Sequence, residues 1–213
     1  MCAGPEIAVA STKAYTAQIS VLNMFAKYLT NLLNNSEYKF LNDILFLSEN
    51  LKFDSLDLDF IAQEIVDETS AIFIGRGLDY ITSEEASLKL KEITYINTQA
   101  YPAGELKHGF LALVEKGTPV FVIATQDSII DKTLNAASEA ASRGAKIILA
   151  SQVDVQNKNI KNLFKTIKLQ TFKEDLMPIV AIYSFQMLSY LTSVKKGINP
   201  DQPRNLAKSV TVE

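Results

Sequence analysis

The chain has 213 residues, 47% of them hydrophobic and 21% charged, and its 21 basic and 24 acidic side chains leave a net charge of −3. This is enough for one large or two small domains with a real core, which excludes a disordered chain, and it builds in no general pull toward nucleic acid or anionic membrane. One cysteine and one histidine cannot make an internal disulfide or the usual nitrogen and sulfur ligand set of a zinc site, so no metal or cofactor is expected.

Apolar stretches such as Val120 to Ala124 and Ile147 to Ala150 fall far short of the ~20 residues that a spanning helix needs. The opening Met1-Cys2-Ala3-Gly4-Pro5-Glu6 has neither a basic stretch nor a following apolar one, so no secretory signal and no membrane span are expected. A cytoplasmic protein is the expectation, which the unpaired Cys2 suits.

Ser11 opens a long helical pattern reaching about Asn34, with Tyr15, Ile19, Leu22, Phe25, Leu29 and Leu33 at helical spacing. Ser11 is the expected N-cap and the helix is expected to be mostly buried. Helical patterns recur over Tyr38 to Asn50 and Leu56 to Asp67. The period then changes to the continuous apolar run Ala71-Ile72-Phe73-Ile74, closed by Gly75-Arg76-Gly77, the mark of a buried parallel strand entering a tight turn. After it come a helix over Thr82 to Tyr95, a helical or irregular piece over Glu105 to Val114, and a strand over Pro119 to Ala124. A helix over Ile129 to Ser142, a strand over Lys146 to Ala150, a weaker strand over Thr166 to Leu169 and a final apolar helix over Leu176 to Lys195 complete the series. Such alternation predicts βαβ units, an α/β fold with a parallel sheet and helices on both faces.

Three places could carry chemistry. The Gly75-Arg76-Gly77 turn lies where open parallel sheets receive ligands, although it is not the dinucleotide fingerprint, and a plain strand-to-helix turn explains it as well. Glu85, Lys89 and Glu92 share one helical face, either a solvated salt-bridge face or a catalytic one. His108 lies between an acid and a glycine in a polar stretch, which suits proton transfer better than a core role. The closing tail, Asp201 to Glu213, reads as a frayed terminus unless it folds over a pocket, in which case its Lys208 could act as a nucleophile.

Taken together, the segments Glu6-Ile7-Ala8-Val9-Ala10-Ser11-Thr12-Lys13-Ala14, Leu88-Lys89-Leu90-Lys91-Glu92-Ile93, Ala103-Gly104-Glu105-Leu106-Lys107-His108-Gly109 and Gln202-Pro203-Arg204-Asn205-Leu206-Ala207-Lys208-Ser209-Val210-Thr211-Val212-Glu213 resemble, in order, the isomerase region of the glucosamine-6-phosphate synthase family. These are the isomerising glutamine:fructose-6-phosphate aminotransferases. The resemblance implies three-layer α/β/α sugar isomerase (SIS) subdomains: residues 1–52 as the end of a first one, 53–200 as the second, and 201–213 as an active-site tail. It implies a homodimer with the active site near the subunit interface, and a glutaminase domain in the full-length enzyme. The substrate and product would be fructose 6-phosphate and glucosamine 6-phosphate, with ammonia derived from glutamine.

By the same resemblance Lys208 forms a Schiff base with the sugar, Glu92 moves the proton between C1 and C2, and Lys89 assists near it. His108 opens the sugar ring from the neighbouring subunit, and Val9, Ser11 and Ala207 line the sugar site. The residue types fit that chemistry, which needs a carboxylate, an acid-base group for the ring hydroxyl and nearby cations; a lysine close to another ammonium is also easier to deprotonate.

The family's Ser/Thr-rich phosphate loop and its glutaminase domain are absent from this sequence, so a truncated chain of weak or no activity is expected. Exposed apolar surface on helix 11–34 is expected with it. Cys2 only superficially resembles the glutaminase nucleophile. The alternatives are a non-catalytic SIS module that binds a phosphosugar, and an isomerase or deglycase acting on another phosphosugar.

Overall fold

The computed structural model describes residues 3–34, 40–52, 55–152 and 160–208; Cys2 and the last part of the closing motif lie outside them. Continuous apolar runs form the centre of the sheet because both of its faces are covered. Strand β1 (Ser70–Gly75), β3 (Pro119–Ile123) and β4 (Lys146–Ser151) are buried along nearly their whole lengths. With the edge strands β2 (Asn97–Pro102) and β5 (Leu163–Lys168) they make a five-stranded, all-parallel sheet in the order β2-β1-β3-β4-β5.

Strand β2 was not expected from the sequence. Its residues Asn97-Thr98-Gln99-Ala100-Tyr101-Pro102 carry no apolar run, and only Thr98 is fully buried, as a half-covered edge strand permits. The other elements fall close to expectation: α1 (Lys13–Asn34), α2 (Phe40–Asn50), α3 (Ser55–Ile65), α4 (Leu78–Thr94), α5 (Ile130–Ala141) and α6 (Met177–Lys195). Helix α4 begins a turn earlier than Thr82, and the segment before Val114 is irregular apart from a short 3₁₀ turn at Phe110–Leu113.

One face of the sheet packs on α3, α4 and α6, centred on Phe73, Phe121 and Phe185, whose ring centroids lie 4.6 to 5.9 Å apart. The other packs on α5 through its alanines and on the 103–114 segment through Leu106 and Leu111. Helix α6 and the turn before it, Glu174–Lys195, are long and apolar enough by length and composition to cross a membrane, contrary to the expectation that no stretch approaches that length. Most of this segment is buried within the domain as its core helix.

Helix α1 departs from the expectation of a mostly buried helix, since none of its residues is fully buried, and carries instead the exposed apolar surface that was also expected of it. Tyr15, Ile19 and Met24 lie against the core, while Leu22, Phe25, Leu32 and Leu33 are more than half exposed. Helix α1 meets α2 and α6, and among the described residues much of its apolar face stays exposed. Ser11 is also not its N-cap. The first-turn N–H of Ala14 donates to the Glu6 carboxylate at 3.0 Å, and the Ser11 hydroxyl donates to the same carboxylate at 2.8 Å.

Candidate active site

Two clusters of ionisable groups hold most of the residues singled out in the sequence. The first stands on α4, which binds one side of the sheet through small and hydroxyl-bearing side chains whose O–H groups donate to carbonyls one turn back, as Ser83 does to Asp79 and Thr94 to Leu90. This close packing carries Lys89 inward. Its side chain is only 5% exposed, and Nζ lies 2.6 Å from Glu92 and 3.5 Å from Glu85. The solvated salt-bridge reading therefore fails for Lys89, and the solvent side of α4 is marked instead by Glu84, Leu88 and Lys91.

Burial raises the Glu85 carboxyl above the usual carboxylate range, with the Glu92 charge adding to that effect and Lys89 opposing it. Tyr15 of α1 faces this cluster: burial, and then the charge of Glu85, push its phenol up to about 12. A lysine between two carboxylates in a desolvated setting is a preformed electrostatic element, with Glu92 its more accessible end.

The second cluster joins the two ends of the described chain. The described part of the tail, 201–208, is tied down: the Val9 N–H donates to the Asp201 carbonyl at 3.1 Å, and Pro203 is buried. The Arg204 N–H donates to the Tyr95 hydroxyl at 2.7 Å, and its guanidinium sits 4.2 Å over the Tyr95 ring. Tyr95 closes α4 with a left-handed backbone, φ 63°. Beyond it, Lys208 Nζ donates to the Glu6 carboxylate at 2.8 Å and to the Ala8 and Val9 carbonyls at 3.2 and 3.5 Å.

Glu6 is the residue that the sequence reasoning passed over. Its hydrogen bond with Lys208 comes first, then those from Ala14 and Ser11, in holding its carboxyl down to about 2 against some opposing burial. The neighbour of Lys208 is thus a carboxylate, where the sequence led us to expect a second ammonium. An acid five residues before Ser11 and just ahead of a helix was the available signal, since carboxylates favour helix N-termini. Ala207 lies exposed beside Lys208.

His108 is not brought to either cluster within this chain. It projects from the irregular segment after β2 with its side chain 67% exposed, 4.0 Å from Glu105. The Gly75-Arg76-Gly77 turn also stands apart from them. Gly75 is required there because a Cβ would come within 2.5 Å of the Asp79 backbone, and Gly77 because of its φ of 55°. Just beyond the turn, the buried Asp79 carboxylate accepts from the Thr125 N–H and hydroxyl and so ties the start of α4 to the end of β3.

The two clusters stand on a parallel α/β domain, one on α4 and the other where the 201–208 segment meets the segment before α1. The chain belongs to the SIS domain family, whose model matches residues 64–195. It is 41% identical over 220 residues to the isomerising glutamine–fructose-6-phosphate aminotransferase of Caldanaerobacter subterraneus, and 43% identical over 215 residues to that of Pyrococcus horikoshii. Each alignment takes in 99% of this chain, but the chain spans only 36% and 35% of those relatives. Among solved structures, the C-terminal domain of glucosamine-fructose-6-phosphate aminotransferase from Francisella tularensis superposes with a TM-score of 0.78 at 35% identity, over 93% of this chain and 58% of that one. A glucosamine-6-phosphate deaminase from Thermotoga maritima shares the fold, with a TM-score of 0.65 at 22% identity over 96% of this chain and 58% of that one.

Proposed function

We propose that this chain supplies the sugar isomerase portion of an enzyme that converts fructose 6-phosphate and glutamine-derived ammonia to glucosamine 6-phosphate. The observation that carries the reading is the folded-back tail, which brings Lys208 to the strap holding Val9 and Ser11. In this reading residues 1–52 end one SIS subdomain, 53–200 form the next and 201–213 close the site. A glutaminase domain, a cytoplasmic location and a homodimer with His108 crossing to the neighbouring subunit go with it; the exposure of His108 leaves it free to do so.

The chemistry follows from the residues. His108 moves a proton at the ring hydroxyl to open the sugar. The free amine of Lys208 adds to the C2 ketone, and loss of water leaves the imine. Ammonia displaces the lysine from C2, returning its amine. Glu92 then takes a proton from C1 and returns it to C2 while the C1 hydroxyl proton passes to the imine nitrogen, which converts the ketose imine to the aldose amine, and Lys89 offsets charge beside it. No metal enters these steps.

Borohydride reduction in the presence of fructose 6-phosphate tests the assignment. A phosphohexitol adduct on Lys208, found by peptide mass spectrometry, is the expected result. Its absence at saturating sugar in the longer enzyme would overturn the reading.

A further inference from the structure

We propose that Glu6 is the positioning residue for Lys208: its carboxylate parks the lysine ammonium at the strap and fixes the direction from which the amine meets the sugar. The inference rests on the Schiff-base reading above. One carboxylate touches three parts of the site. Its Oε2 accepts from Lys208 Nζ and from the Ser11 hydroxyl, each at 2.8 Å, and its Oε1 accepts from the Ala14 N–H at 3.0 Å. The nucleophile, a residue of the sugar-lining strap and the first turn of α1 are therefore set relative to one another by a single group, whose own side chain is only 11% exposed.

Lys208 by contrast keeps 45% of its side chain exposed. Its other acceptors are the neutral carbonyls of Ala8 and Val9, at longer distances. A long flexible ammonium held only by those carbonyls would spread over solvent-facing rotamers; the charge-assisted bond from Glu6 selects one. Glu6 touches neither Glu92 nor Lys89 in the contacts seen here, so its effect reaches the reaction only through the lysine it holds.

Glu6→Gln is the discriminating variant, because the amide oxygen still accepts from the Ala14 N–H, the amide NH2 can donate to a turned Ser11 hydroxyl, and the charge on Lys208's partner is gone. Two readouts apply to the longer enzyme. Trace acetylation with acetic anhydride, read at Lys208 relative to the exposed Lys132, is expected to rise about three- to fivefold, the range open to a partly exposed ion pair. The initial rate of borohydride-trapped adduct formation with fructose 6-phosphate is expected to fall by a similar factor, with the half-saturating sugar concentration and the melting temperature unchanged. Glu6→Asp, which keeps the charge, should recover part of both.

If wild-type enzyme forms the adduct and Glu6→Gln leaves both the trapping rate and the Lys208 labelling unchanged, the proposal is overturned while the Schiff-base reading stands. If wild-type enzyme forms no adduct, the Schiff-base reading falls, and the acetylation ratio alone decides whether Glu6 holds Lys208. A fall in melting temperature with raised labelling at every nearby lysine would assign Glu6 a structural role and also overturn it.

Discussion

The two clusters are built in opposite ways. The Glu85–Lys89–Glu92 set stands on a helix packed against the sheet and α6, and its lysine is almost removed from water. The Glu6–Ser11–Lys208 set joins two irregular segments, and polar contacts with a single ring platform hold it. Packing fixes the first set before any ligand arrives, whereas the second is fixed only as long as its charges persist. Under the proposed reaction, such an arrangement would keep the proton-moving carboxylate rigid and the covalent group releasable.

Substitutions that separate the two clusters should differ in size and in kind. The largest effect is expected from Glu92→Gln, which removes the proposed proton carrier while keeping its shape. Isomerisation in the longer enzyme should fall by roughly 10²- to 10⁴-fold with sugar affinity retained, and steady-state turnover at the wild-type level would break the assignment.

Lys89→Ala should act on stability instead, because it leaves two inward carboxylates facing each other. A loss of about 3–5 kcal/mol is expected from urea unfolding near neutral pH. The sign with pH follows from Glu85, whose folded-state value is already raised and rises further without the lysine. The folded protein then holds its proton more tightly than the unfolded one, so the deficit should shrink as the pH falls into the carboxylate range and grow as it rises.

A smaller effect with the opposite sign is expected at the other cluster. Glu6 is lowered from 4.5 to about 2, so its contribution to docking the tail is complete above about pH 4.5 and is lost as the pH falls through about 2. Amide exchange in residues 201–208, followed across that window, should quicken before the sheet does; a tail that stays protected at the lower end would contradict the clasp.

How far the sequence foretells these features depends on whether the relevant contact is local. Strands β1, β3 and β4 were legible because buried parallel strands are apolar at every position, and α4's ionisable face was legible from its spacing. Strand β2 was not, since an edge strand carries polar residues and its pairing with β1 lies in another part of the chain. Helices α1 and α6 read alike as apolar helices, yet α6 is enclosed and α1 lies open along most of its face. Periodicity shows which face seeks cover and is silent on whether anything covers it. The Glu6–Lys208 contact joins residues at opposite ends of the sequence, so spacing along the chain could not disclose it.

Tyr95 carries a cost that its neighbours explain. An aromatic residue held left-handed at the end of α4 sits about 1–2 kcal/mol above a relaxed backbone, and a glycine would sit there without strain. Tyr95→Gly is therefore expected to leave the domain as stable as before or slightly more so, by thermal unfolding, while its tail becomes more easily clipped by a protease. Selection for stability alone would discard this tyrosine; it is worth keeping only in a protein whose 201–208 segment must come to rest in one place.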